Sequence, residues 1–138
     1  MEIDRNLAVS LIDAFDSEDT AIVLWDKNDN VLYRNKKTSE RWIKLKLDFE
    51  IGQNFYERLK KINDLNLLSK QEQNLRKNNY NKAKSSGKSQ QFVIKGPTGR
   101  WVQVKDTPTS EGNMLTLMTN VTDVIDKDIE RQKLAVAI

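Results

Sequence analysis

The chain contains no cysteine and no histidine. Disulfides, thiolate nucleophiles and Cys/His zinc sites are thereby excluded. So are a covalent flavin adduct on cysteine, a histidine-ligated haem, the commonest general base and a phospho-accepting histidine within this segment. Glycine and proline are sparse, at five and two residues, and the glycines stand singly at turns. No glycine-rich phosphate cradle is therefore formed. Long apolar runs are missing too, Ala21-Ile22-Val23-Leu24-Trp25 being among the longest. A membrane-spanning helix needs about 20 such residues, so none is expected. Met1-Glu2-Ile3-Asp4 is acidic and lacks the form of a secretory signal.

What is present suits one globular domain with a single core: 138 residues, 38% hydrophobic and 31% charged. The formal charge is +3, and outside the 69–90 region the basic residues are dispersed. That pattern is not a nucleic-acid footprint. Carboxylate pairs such as Glu18-Asp19 lie in turns and make poor general acids, so catalysis is not expected.

Hydrophobic periodicity orders the chain. Residues 4–16 carry Leu7, Ala8, Leu11, Ile12 and Phe15 at helical spacing, with Asp4 as N-cap. Ala21–Trp25 and Val31–Tyr33 read as a hairpin around the turn Asp26–Asn30. Short helices are expected over Lys36–Trp42 and within Phe49–Leu59. Leu65–Lys84 reads as a polar surface helix with a thin stripe of Leu67, Leu68, Leu75 and Tyr80. Three strands follow, Ser89–Lys95, Arg100–Thr107 and Asn113–Val121, joined by turns at 96–99 and 108–112. The last strand passes without a loop into a helix, Val124–Ala137, with a heptad seam at Ile125, Ile129, Gln132 and Val136. The expected fold is α+β: five antiparallel strands with short helices on one face, an N-terminal amphipathic helix and a C-terminal exit helix.

Strand alternation sorts side chains between two faces. One set, Ile22, Leu24, Phe92, Ile94, Val102, Val104, Leu115 and Leu117, is expected to face the short helices. With Trp42, Phe55 and Tyr56 it defines the expected pocket: Leu24, Trp42, Phe55, Tyr56, Phe92, Ile94, Val104 and Leu117. The opposite set is Val23, Trp25, Trp101, Gln103, Met114, Thr116 and Met118. An exposed Trp and two Met residues would need a cover. A dimer or cap surface is therefore expected from Leu7, Leu11, Phe15, Trp101, Met114, Met118, Ile125 and Ile129. Arg41, Arg58 and Lys60 read as a solvated basic face rather than as a carboxylate anchor.

The hairpin Ala21–Tyr33 with Asp26 and Asn35, the strand Gly99-Arg100-Trp101-Val102-Gln103-Val104, and the closing strand ending Thr119-Asn120-Val121-Thr122-Asp123 together resemble a PAS domain. The resemblance covers roughly residues 10–125. It implies a non-catalytic sensor or interaction domain in the cytoplasmic part of a bacterial-type signalling protein. Its output unit would be a histidine kinase or a diguanylate cyclase, joined through the helix after Asp123. Three units are expected: an N-terminal cap or dimerisation helix (1–18), the PAS-like domain (19–123) and a signalling helix (124–138). Thr119, Asn120, Thr122 and Asp123 would form the output junction, with Thr122 and Asp123 as caps of the exit helix. Asn120 stands where the family's exit motif usually has Asp, so this junction should rest on hydrogen bonds rather than an ion pair. The alternative reading is a ligand-free structural dimerisation module. No metal is expected, and the composition leaves a small acid, a lipid-like molecule or a non-covalent flavin as possible ligands. A homodimer through the terminal helices is expected. Leu134–Ile138 echoes Leu7–Leu11, which suggests a fragment of a longer protein with a second similar domain.

Overall fold

A computed structural model describes residues 5–17, 19–42, 47–96 and 99–137. Asp4, and with it the expected cap of the first helix, lies outside the described residues. The described residues form five helices and one five-stranded antiparallel sheet in the order α1 (Arg5–Asp16), β1 (Ala21–Trp25), β2 (Val31–Arg34), α2 (Lys36–Trp42), α3 (Phe55–Asp64), α4 (Lys70–Ser86), β3 (Gln90–Lys95), β4 (Trp101–Pro108), β5 (Met114–Asn120) and α5 (Thr122–Ala137). The spatial order of the strands is β2-β1-β5-β4-β3. The last strand thus lies in the centre, between two hairpins made earlier in the chain.

Short polar side chains shape each connection. The Asp26 carboxylate accepts from the backbone N–H groups of Asn28 (2.9 Å) and Asn30 (3.0 Å), which turns β1 into β2. Asp29 sits in this turn at φ 67°, and its carboxylate receives the Tyr80 hydroxyl at 2.7 Å and Lys84 Nζ at 2.9 Å, so the turn is tied to α4. Asn35 is fully buried and joins four segments. Its Oδ1 accepts from Ile22 N (2.9 Å) and the Thr38 hydroxyl (3.0 Å), and its Nδ2 donates to the carbonyls of Phe15 and Thr20, both at 2.9 Å. Asn54 caps α3, while Ser69 and Glu72 form a reciprocal capping box on α4. Gly87, at φ 69°, closes α4 in the left-handed conformation that suits glycine.

Register sets which sheet face is the core. Trp25 stands opposite Met114, Val23 opposite Thr116, and Ala21 opposite Met118. Met118 in turn stands opposite Val104, and Val104 opposite Phe92. The inner face therefore carries Ala21, Val23, Trp25, Met114, Thr116, Met118, Val104 and Asp106, all buried, with Phe92, Ile94 and Val102 beside them. This corrects the expected sorting on two of the four long strands. Phe92, Ile94, Val102 and Val104 do face the helices. Ile22, Leu24, Leu115 and Leu117 face the other way, and Met114 and Met118 are core rather than cap residues. The physical reason is Thr116: its hydroxyl is satisfied inside, between the Trp25 indole and Asp106, and it carries its strand's phase with it.

Two helices differ from expectation in orientation. Of α1, no described residue is buried, and Leu7, Leu11 and Phe15 are exposed. Its end is anchored through Asn35 and by the Phe15 ring, 6.2 Å from that of Tyr33. α4 begins at Lys70, so Leu67 and Leu68 of the expected stripe precede it. Tyr80 faces inward as expected, together with Arg76, Asn79 and Ala83, while Leu75 points outward.

Candidate ligand cavity and output junction

The site is built on a cluster of aromatic rings. Trp25 makes T-shaped contacts with Phe49, Phe55 and Tyr80 at centroid distances of 5.9, 5.2 and 6.1 Å. Phe55 and Tyr80 stack at 3.8 Å. Such arrangements add to simple area burial.

Behind the rings runs a closed polar network. The Trp25 indole N–H donates to the Thr116 hydroxyl at 2.9 Å, which donates to Asp106 Oδ1 at 2.6 Å. Asp106 Oδ2 accepts from Arg76 Nη1 at 2.6 Å and Asn79 Nδ2 at 2.7 Å. Asp106 is fully buried, so its charge is held by three donors, one of them a cation. The Arg76 guanidinium lies 4.8 Å from the Phe55 ring centroid.

Arg58 is a second buried guanidinium, 3% exposed, in a different setting. Its Nη1 donates to the carbonyls of Leu47 (2.6 Å) and Asp48 (3.4 Å) and to Gln53 Oε1 (3.4 Å). Its Nη2 has no hydrogen-bond partner among the described residues. Its Cζ lies over Phe49, 3.5 Å from the ring centroid, and 4.9 Å from that of Trp42. Burial, then the Arg76 charge, pulls its pKa down to about 9, against the field of Asp48. It remains a cation at neutral pH. The Asp48 carboxylate is itself ion-paired to Arg34 at 3.3 Å. The Tyr80 hydroxyl is pushed far above its usual range by burial and by its hydrogen bond to Asp29.

Between the inner sheet face and the helices lies a cavity of about 740 Å³. Trp42, Phe49, Phe55, Leu59, Ile62 and Leu68 line one side, and Trp25, Ile94, Val102, Val104 and Met118 of the sheet the other, with Arg58 and Arg76 in the wall. Its lining extends to the exposed Asp19 and Arg100, and to Thr119 and Asn120 at the end of β5.

That end is also the start of the exit helix. Asn120 Oδ1 accepts from Thr122 N (3.0 Å) and from the Thr122 hydroxyl (2.7 Å), and Thr122 Oγ1 accepts from Trp101 N at 2.9 Å. Val121 N donates to the Trp101 carbonyl at 2.9 Å. The Thr119 hydroxyl is 3.3 Å from that of Thr20. Neither Thr122 nor Asp123 is the cap that was expected. Both belong to the first helical turn, and the amide of Asn120 does the capping from outside it. Asp123 is exposed near the helix's positive end.

The structure brings Trp42, Phe55, Ile94 and Val104 to the cavity wall. Tyr56 and Phe92 pack against the core around it, the Tyr56 hydroxyl donating to Asn81 at 2.6 Å. Leu24 and Leu117 are on the opposite face, paired with Leu115 and Ile22. Of the expected dimer residues, Leu7, Leu11, Phe15 and Ile129 are exposed and Trp101 and Ile125 half-buried. Lys60 is solvated as expected, Arg58 is not, and the Arg41 side chain lies outside the described part. Sequence reasoning assigned Arg58 to a solvated face and passed over Arg76 and Phe49. The signal for Arg58 was available: Phe55, Arg58, Leu59 and Ile62 form one i, i+3, i+4, i+7 stripe.

No family model matches the chain, and no curated protein does. Solved structures do. The PAS domain of a protein from Colwellia psychrerythraea is 17% identical with a TM-score of 0.58, the alignment covering 85% of this chain and 98% of that one. The PAS domain of the Cronobacter turicensis RpfR quorum-sensing receptor, in complex with C12:0, is 19% identical with a TM-score of 0.52, covering 77% and 97%. The sensor region of a sensor histidine kinase is 15% identical with a TM-score of 0.59, covering 75% of this chain and 40% of that one.

Proposed function

The chain has the PAS fold, and on that premise we propose that it is a sensor domain whose cavity takes a small ligand and whose exit helix carries the result to an output unit. One observation supports this above the others: the cavity wall ends at Thr119 and Asn120, and Asn120 holds the first turn of α5. A ligand that shifts the end of β5 must then loosen or tighten the Asn120–Thr122–Trp101 hydrogen bonds. The helix would be biased between two positions relative to the sheet. The domain itself has no proposed catalysis. Its parent is proposed to be a bacterial-type cytoplasmic signalling protein with a histidine kinase or diguanylate cyclase output, for which the similar sensor region of a histidine kinase is the support. No helix of the described residues is long and apolar enough to cross a membrane.

Dimerisation through α1 and α5 is part of the proposal. The exposed Leu7, Leu11, Ile12 and Phe15 on one helix and Ile129 on the other favour it. They equally favour the second reading, a ligand-free dimerisation module. Native mass spectrometry of the purified chain separates the two, since it weighs a retained ligand and a dimer at once. In the parent protein, replacing Thr122 and Asp123 with Ala should alter output while the domain stays folded. Unchanged output would remove the proposed coupling.

A further inference from the structure

Most of the cavity wall is ordinary apolar core, and of its charged lining residues Arg58 is the most deeply buried. That side chain is 3% exposed and stands in the cavity lining, with Nη2 lacking a hydrogen-bond partner among the described residues. Leaving a buried cationic donor unmade is unfavourable, so such groups normally meet a carboxylate or water. The neighbouring Arg76 shows what completion looks like, because Asp106 neutralises it at 2.6 Å. Among the described residues, Arg58 meets two carbonyls and an amide oxygen, all at Nη1. The cavity wall therefore holds, among rings and aliphatic groups, a guanidinium whose Nη2 meets no acceptor among the described residues and on which Asp48 acts through its field.

We propose that the ligand is a monocarboxylate with an apolar body, its carboxylate seated on Nη2 of Arg58 and its body against Trp42, Phe49, Leu59 and Ile62. This rests on the sensor reading given above and names the chemistry of the same cavity. The single open edge of a buried guanidinium selects a monoanion, since the other buried arginine of the lining, Arg76, is already neutralised by Asp106. The geometry selects a carboxylate over a phosphate. A single open NH₂ edge serves one or two oxygens, whereas a phosphate dianion would leave further oxygens undesolvated among aromatic rings. Phe49 and, at right angles to it, Trp42 pack against the guanidinium, so Arg58 is already ordered before a ligand arrives.

The test uses the whole chain and two probes of equal length, octanoate and 1-octanol. Binding is read by titration calorimetry and by the fluorescence of Trp25 and Trp42, which line the cavity. Octanoate should bind at least ten-fold tighter than octanol. The preference should fall to about two-fold or less in Arg58→Met, with octanol binding retained. It should also fall in Gln53→Glu, which supplies Arg58 with a carboxylate from the protein and keeps Arg58 in place. That second variant answers the question even if Arg58→Met fails to fold. Equal binding of acid and alcohol by the wild type would overturn the carboxylate proposal and leave the cavity reading intact. A preference that survives both variants would overturn the role of Arg58. No binding of either probe would overturn the proposal together with the cavity reading beneath it.

Discussion

Arg58 and Arg76 occupy equivalent places in their helices and opposite chemical situations. Each sits on the inward stripe of its helix beside an aromatic residue, with its guanidinium against a ring. Arg76 ends on a buried carboxylate that also binds a hydroxyl and an amide, and nothing in that set is left unmet. Arg58 ends on carbonyls, with half its fork unused among the described residues. The first arginine holds the sheet to α4. The second holds the 47–53 segment with one edge and presents the other to a cavity. A closed network gives rigidity and an open one gives recognition, and this chain uses the same side chain for both.

The comparison breaks most severely at Asp106. Asp106→Ala should cost about 3–5 kcal/mol in urea unfolding, because it strands Arg76 without its counter-charge in the core. A loss below about 1 kcal/mol would mean that the network is not closed. Arg58→Met should cost less than about 2 kcal/mol, since removing an incompletely paired charge offsets the loss of its bonds to the Leu47 and Asp48 carbonyls. Equal losses at the two sites would erase the distinction drawn here. Gln53→Glu should sharpen it in the other direction, raising stability by about 1 kcal/mol by giving Arg58 the kind of partner Arg76 has. The smallest effect concerns Tyr80, whose ring lies 5.8 Å below Arg76. Its hydroxyl is held neutral in the fold to a pH well above the ordinary value of 10.0. The unfolded chain ionises first, so this stabilisation is complete below pH 10 and declines as the pH rises above it. The stability advantage of wild type over Tyr80→Phe should thus narrow by about 0.8 kcal/mol between about pH 9 and 10.5. A widening gap would contradict the sign.

Element order and type were legible because their signals are local. The Asp26 turn and the direct passage from β5 to α5 follow from residues within a few positions of one another. The Asn54 and Ser69 caps, equally local, escape the sequence reading, and the fourth helix begins at Lys70 instead of the expected Leu65. The relative phase of the strands was not legible. Alternation within β1 and β5 is correct, but Leu115 and Leu117 look more like core than Met114 and Thr116 do. Only the partner of Thr116, Asp106 on β4, makes a threonine an inner residue, and that pairing spans ten positions and a turn. The arginines mislead in the same way. A charged residue within an apolar stripe reads as solvated until Asp106, or a cavity, is placed opposite it. What distance in sequence hides here is polar partnership.

The central position of β5 has a consequence in time. Before Met114–Asn120 is synthesised, the hairpins β1–β2 and β3–β4 have no strand to join them. Residues 21–25 must wait for their β5 partners, roughly ninety positions later. Pairings this remote are slow to form, because a long loop must close before any contact stabilises it. On a ribosome the nascent chain would expose Trp25 and the inner sheet residues until nearly all of the domain has emerged. Completion of the core and release of α5 are then almost the same event, so the helix begins its existence already attached to a finished sheet.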